Sequence, residues 1–264
     1  MIPKIIHYCW FGKNEKPNLI KLCIDSWHQY LPEYEIVEWN EDNFDVNQYK
    51  FTKTAYEQRK WAFVSDVARL TALIEFGGFY LDTDVEVLKE DPISEYCQLD
   101  NVFAFETERR IATGLFCGCE KDSPLFSKFL KAYENIDYLG NYHQLNTSMN
   151  FPILEKEYPT LKMNNQTQVI NKTLFLSMSD YSKGMRHYGM RTWLDDKVDY
   201  HVKWKDNAFR RRIRDPRIYK FLGHKSKKLM HAYEFLTYDL LDMGLGYFLK
   251  RRIKIIKKKK NSEL

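Results

Sequence analysis

The sequence predicts an α/β layered domain. Three observations lead there: short β-branched and aromatic runs alternate with helical-period runs, one long apolar helix is closed by Gly77-Gly78, and a strand-like stretch follows directly. With 264 residues, 44% of them hydrophobic, the chain can bury the core of one large domain.

Taken in order, "KIIHYCW" before Gly12 reads as the first strand. Residues 17–31 repeat apolar side chains at helical spacing, with Pro17 near the start and Pro32 just beyond the end. "YEIVEW" reads as a second strand and gives way to the polar "NEDNFDVNQ". Residues 62–76, "AFVSDVARLTALIEF", make the clearest helix, and Gly77 and Gly78 supply a left-handed stop. The stretch "FGGFYLDTDVEVL", residues 76–88, reads as a strand by its Phe, Tyr, Leu and Val content. "NVFAFE" and "ATGLFCGC" read as further strands and "PLFSKFLKAYENI" as a helix, whereas residues 140–200 show no regular pattern.

Composition narrows the surroundings. No window of about 20 residues is both apolar and uncharged, so no transmembrane helix is expected. The first residues lack the order of a secretory signal, and the five cysteines contain no C-x-x-C; a reduced, cytoplasmic setting is expected. Cys117 and Cys119 read as packing residues. Residues 1–202 hold 22 Lys and Arg against 30 Asp and Glu, a balance of −8, while residues 203–264 hold 19 against 6, a balance of +13. The positive charge is concentrated at the C-terminal end. There "LGYFLKRRIKIIKKKKN" places eight basic residues between 250 and 260, and residues 231–264 read as a basic amphipathic segment after a domain spanning 1–230. Such a segment suits an anionic membrane surface, at about 1 kcal/mol per Lys or Arg. The expected location is the inner face of the membrane, with no nucleic-acid partner; a solvated tail is the plainer alternative.

Asp82 and Asp84 call for a chemical reason. They are expected near the C-terminal end of the strand or on the turn that follows, where open α/β sheets bind ligands; on a strand they would share a face roughly 7 Å apart, where two carboxylates repel unless a proton or a cation lies between them. Hard cations such as Mn²⁺ or Mg²⁺ take oxygen ligands and bridge carboxylates to a diphosphate. The preceding helix carries an apolar stripe of Phe63, Val67, Leu70 and Ile74, and beside it Ala62, Asp66, Arg69 and Leu73. Asp66 and Arg69 either pair with each other at i, i+3 or grip the hydroxyls of a sugar.

The block A-x-x-S-D-x-x-R followed by G-G-x-Y-x-D-x-D, together with "IPKIIHYCWFG", resembles glycosyltransferase family 32 over about residues 1–120. That family includes initiating mannosyltransferases and bacterial capsule and lipopolysaccharide sugar transferases. The same pieces are similar to the catalytic domain of the large clostridial glucosylating toxins. The resemblance implies a GT-A fold, a Rossmann-like mixed sheet flanked by helices in a single domain. It also implies retaining transfer from a nucleotide diphosphate sugar, a UDP-hexose, aided by Mn²⁺ or Mg²⁺. By the same resemblance Trp10 stacks on the base, Asp66, Arg69 and Tyr80 hold the donor sugar, and Asp82 and Asp84 form the catalytic metal motif. "RHYGMRTWLDD" resembles the H-x-x-x-x-S-W segment that closes such sites, implying His187 as a third metal ligand and Trp193 over the diphosphate. Thr192 stands where Ser is usual, "NTSMNFPILEK" where many relatives carry Gly-Pro, and "ATGLFCGC" where many carry N-G-F. A glycan or lipid-linked acceptor in surface polysaccharide synthesis is expected. A protein acceptor, as for the toxins, and a non-enzymatic basic binding module are the alternatives.

Overall fold

The computed structural model describes residues 1–107, 110–139 and 146–189. They lie within one compact unit built on a mixed sheet with helices on both faces. The strands of this sheet are β1 (Ile5–Cys9), β2 (Glu35–Trp39), β3 (Gly78–Leu81), β5 (Asn101–Thr107), β7 (Phe116–Cys119), β8 (Gln168–Ile170) and β9 (Thr173–Leu176), in the order β2-β1-β3-β7-β5-β9-β8. The two-residue β6 (Arg110–Ile111) pairs with the free end of β5. β1 runs parallel to both β2 and β3, β7 is antiparallel to β3 and β5, and β5 runs parallel to β9. A separate ribbon joins β4 (Val85–Val87) to β10 (Met185–His187), antiparallel.

Strand alternation divides the core in two. Tyr80, Phe103 and Phe105 point to the layer that contains α2 (Lys50–Glu57), α3 (Trp61–Phe76), α4 (Pro124–Lys131) and α5 (Asn146–Glu157). Phe79, Leu81, Val102 and Ala104 point to the other layer, with Trp27 of α1 (Asn18–Tyr30) and Tyr181 of α6 (Met178–Tyr181). Ten of the sixteen residues of α3 are buried, including Phe63, Val67 and Leu70 of one stripe and Asp66, Arg69 and Leu73 of the other, while Ala62 and Ile74 at the stripe ends are half-buried; the middle of this helix is enclosed rather than surface-laid.

Gly77 ends α3 at φ 67° and hands over to Gly78 at φ 101°, conformations that a side chain disfavours. His7 fixes this corner. Its Nε2–H donates to the Gly77 carbonyl at 2.8 Å, and its Nδ1 accepts from Trp39 Nε1 at 3.0 Å, so one buried imidazole ties β1 to β2 and to the turn before β3. A Cβ on Gly78 would meet the Ile5 carbonyl at 2.6 Å, which is why β3 can close this tightly on β1.

Several elements differ from the sequence reading. The strand expected over 76–88 is two strands: β3 stops at Leu81 and β4 belongs to the other sheet. Asp82 and Asp84 therefore flank a tight turn, in which Val85 N–H donates to the Asp82 carbonyl at 3.0 Å, and they converge by turning rather than by strand alternation. "ATGLFCGC" is a strand only from Phe116, the helix at 124 ends at Lys131, and α2 and α5 were not anticipated. Cys117 and Cys119 are buried packing residues, as expected. No helix among the described residues is long and apolar enough to cross a membrane. The expected boundary at residue 230, the basic segment 231–264 and Trp193 lie outside the described residues.

Burial pushes the His7 pKa down to about 4, against the pull of the Gly77 carbonyl. The unfolded chain therefore takes up this proton first. The His7 contribution is complete above pH 6.5 and declines as pH falls towards 4, by on the order of 3 kcal/mol. Urea unfolding at pH 7 and pH 4.5 checks this: the wild-type chain is expected to lose more stability over that interval than His7→Gln, and equal losses would refute it.

Candidate active site

The site begins with a guanidinium. Arg69, only 3% exposed, places Nη2 3.1 Å from Asp66 Oδ1 and 3.8 Å from Asp82 Oδ1, linking the middle of α3 to the turn after β3. Its Nε donates to the Ser65 carbonyl at 3.1 Å, and the Tyr80 ring lies 4.4 Å from the guanidinium carbon, a cation–π contact. Tyr80 in turn donates its hydroxyl to Asp82 Oδ1 at 3.1 Å. Burial acts to lower the Arg69 pKa, and Tyr80, Asp66 and Asp82 around it more than offset this, so its pKa is raised and the guanidinium stays charged. The i, i+3 pairing of Asp66 and Arg69 is thus real, and it is one edge of a larger network.

Asparagine 146, at the start of α5, completes the Asp66 side: Asn146 Nδ2 donates to Asp66 Oδ1 at 2.9 Å. Burial raises the Asp66 pKa, while Arg69 and Asn146 oppose the rise. Gly114 makes room, since a Cβ there would come within 2.5 Å of Arg69 Nη1 and 3.2 Å of Asn146 Nδ2. Arg69 Nη1 and Asn146 Oδ1 are buried and have no hydrogen-bond partner among the described residues. A buried donor and acceptor left open are costly unless a ligand takes them up.

The acid turn is held from below. Trp27 Nε1 donates to the Val85 carbonyl at 2.7 Å and Val87 N–H donates to Ser26 Oγ at 2.9 Å, so α1 anchors β4 immediately after Asp84. The ribbon then brings in His187. β10 pairs His187 opposite Val85, Tyr188 N–H donates to the Asp84 carbonyl at 3.0 Å, and His187 Nε2 comes to 3.1 Å from Asp84 Oδ1. One atom each from Asp82, Asp84 and His187 lie within 4.8 Å of one another. Two carboxylates and an imidazole at this spacing form a donor set that could hold a divalent cation.

The charges respond to this crowding. Burial lifts Asp82 to about 6, with Arg69 pulling it down and Asp84 adding to the rise. Burial would lower His187, but Asp84 and Asp82 raise it to about 9. Trp10 lies at the C-terminal end of β1, on the same sheet edge as this turn, because β1 and β3 pair in parallel with His7 opposite Tyr80. The Trp10 ring is half-buried, donates Nε1–H to the Asn14 carbonyl at 2.7 Å and has Lys16 Nζ 5.8 Å from its ring centre.

Residues 17–102, which include α3, the glycine turn and the two acids, match the family described as a glycosyltransferase sugar-binding region containing a DXD motif. Over 104 residues the chain is 36% identical to inositol phosphoceramide mannosyltransferase 3 of Schizosaccharomyces pombe, an alignment covering 36% of this chain. The match spans 28% of the length of that protein. Among solved structures, the PaToxG glycosyltransferase superposes with a TM-score of 0.47 at 21% identity, over 60% of this chain and 70% of that one. A glycosyltransferase involved in the glycosylation of the major capsid of PBCV-1 superposes with a TM-score of 0.42 at 10% identity, over 70% and 93%.

The structure thus gathers Asp66, Arg69, Tyr80, Asp82, Asp84 and His187 around the acid turn, with Trp10 at the same end of the sheet. Sequence reasoning passed over Asn146, Gly114, Ser26 and Trp27. Asn146 had one visible signal, a short polar side chain just ahead of a helical run, but Pro152 inside α5 masked that run.

A cation entering the Asp82, Asp84 and His187 set must displace the His187 proton, since ligating imidazole is neutral. Mn²⁺ affinity is therefore expected to rise roughly tenfold per pH unit between pH 7 and about 9. Calorimetry in buffers of different ionisation heat should show about one proton released per Mn²⁺ at pH 7. Binding without proton release would place the cation elsewhere.

Proposed function

We propose that the chain is a metal-dependent glycosyltransferase that moves a hexose from a nucleotide diphosphate donor to a glycan or lipid-linked acceptor in surface polysaccharide synthesis. The observation that carries this reading is the adjacency of a carboxylate-carboxylate-imidazole cluster to a buried Arg-Asp pair with an open donor and acceptor, inside a DXD-type sugar-binding region.

Asp84, Asp82 and His187 would hold Mn²⁺ or Mg²⁺ against the diphosphate. The cation, when bound, supplies Lewis-acid stabilisation of the charge that grows on the departing nucleoside diphosphate. Arg69 and Asp66 have complementary tasks on the donor sugar. Arg69 Nη1, open and buried, donates to a sugar hydroxyl, and Asp66 accepts from one. Tyr80 holds the guanidinium over its ring and steadies Asp82 through its hydroxyl. Trp10 offers a half-exposed ring at the sheet edge on which a base can stack, and a UDP-hexose is the expected donor. Trp193 would cover the diphosphate. Attack by the acceptor on the same face as departure gives retention.

The S. pombe relative is named for mannosyl transfer to inositol phosphoceramide, an acceptor with a lipid part. A lipid-linked acceptor accords with the run of basic residues at 250–260, and this favours a position on the inner face of the membrane without a nucleic-acid partner.

The test is turnover of UDP-glucose, UDP-galactose, UDP-N-acetylglucosamine and GDP-mannose, with Mn²⁺ and with EDTA. One donor is expected to be hydrolysed or transferred, and chelation or Asp84→Asn should lower that rate on the order of a hundredfold or more. Turnover that survives both treatments would sink the reading.

A further inference from the structure

We infer that Glu86 is the positioning residue for His187, a carboxylate clamp that holds the strand carrying the third ligand. The inference rests on the reading of Asp82, Asp84 and His187 as a cation site, and concerns what keeps that site assembled.

β4 and β10 contribute three residues each, and a two-stranded ribbon of that length has little stability of its own. Its backbone is anchored to Asp84 by the Tyr188 N–H and to Leu88 by the Gly184 carbonyl, which sets the height of β10 but not the twist of its end. Glu86 supplies the missing constraint. It lies directly across from Arg186 in the ribbon, and its Oε2 receives Arg186 Nη1 at 3.2 Å and the Tyr188 hydroxyl at 2.5 Å. Residues 186 and 188 are the two neighbours of His187, and on a strand their side chains point away from the face on which His187 lies. One oxygen therefore grips both flanks of the ligand from the opposite side. Beyond Tyr188, Gly189 adopts φ 60°, and among the described residues a Cβ there would meet nothing within 4 Å.

The partners are partly wet, with Arg186 43% and Glu86 20% exposed, so the ion pair contributes little to global stability. Its effect is local. A shared acceptor with one charged and one phenolic donor restricts rotation of β10 about its axis, and that rotation would carry His187 Nε2 away from Asp84. Partners of this outer kind typically change metal affinity by about 10- to 100-fold when removed.

The probe is Mn²⁺ itself, titrated into the full chain and followed by the electron paramagnetic resonance signal of the free ion. Glu86→Ala is expected to weaken binding about tenfold, Glu86→Gln to recover part of the loss, and far-ultraviolet circular dichroism to stay unchanged. In a His187→Ala background, Glu86→Ala should add no further loss, because the clamp acts through His187. Should Glu86→Ala fold poorly, Tyr188→Phe, which removes only one hydroxyl, is expected to weaken Mn²⁺ binding in the same direction and again only when His187 is present. If Glu86→Ala and Tyr188→Phe bind Mn²⁺ like the wild-type chain, or the loss is the same with and without His187, the clamp is refuted. Asp84→Asn separates the two levels. Binding lost in Asp84→Asn but kept in Glu86→Ala overturns the clamp alone, whereas binding kept in Asp84→Asn overturns the cation site and the clamp with it.

Discussion

Everything in the site depends on one buried cation. Arg69 is enclosed in the protein, and such a charge is tolerable only where its partners are close and well oriented. Asp66 supplies one partner from its own helix and Asp82 a second from the turn beyond β3, so the electrostatic requirement of a single guanidinium fixes the distance between α3 and the acid turn. The Gly77-Gly78 corner, held by His7, is what allows the chain to return from α3 to β3 over so short a path. Gly114 leaves the space that the guanidinium occupies, and Tyr80 gives it a face to lie against.

Two sheets share the work. The main sheet places Trp10 and Tyr80 at the end of its parallel strands, where ligands of α/β proteins collect, and the β4–β10 ribbon places Asp84 and His187 beside them. Asp82 is the joint, since it touches Arg69 and Tyr80 on one side and belongs to the cation cluster on the other. The two acids thus have different neighbours: Asp84, buried and paired with His187, sits at the foot of the ribbon, while Asp82 joins the Asp82, Asp84 and His187 cluster to the Arg69–Asp66 pair. A protonated His187 neutralises part of their repulsion.

Much of this was legible in the sequence for a physical reason. The α3 pattern, its glycine stop and the acids that follow are contiguous, so local periodicity and turn chemistry reveal them together, and the acid and base on one stripe of α3 signalled a pair needing partners. What stayed hidden was non-local. Asp82 and Asp84 looked like neighbours on one strand because Val85 and Val87 continue the β pattern; only the switch of β4 into a second sheet turns the backbone between them. Asn146 reaches Asp66 across 80 residues from a helix broken in pattern by Pro152, and no periodicity reports such a contact. α2 lacks a conventional side-chain cap and follows a polar stretch, so its amphipathic turn of Phe51, Thr52 and Ala55 was too short to stand out. His187 was placed by the resemblance of its segment, and its 3.1 Å approach to Asp84 agrees with that placement without assigning the role.

On the proposed function, the acid turn, His187 and the Arg69 network form one receptor for a cation-bound nucleotide diphosphate. Calorimetric titration of the full chain with UDP and with GDP, each with Mn²⁺ and after chelation, tests it most directly. One nucleotide is expected to bind at least about tenfold more tightly with Mn²⁺ present, because the cation would bridge diphosphate and carboxylates. Equal affinity with and without the metal, or no binding of either nucleotide, would contradict it.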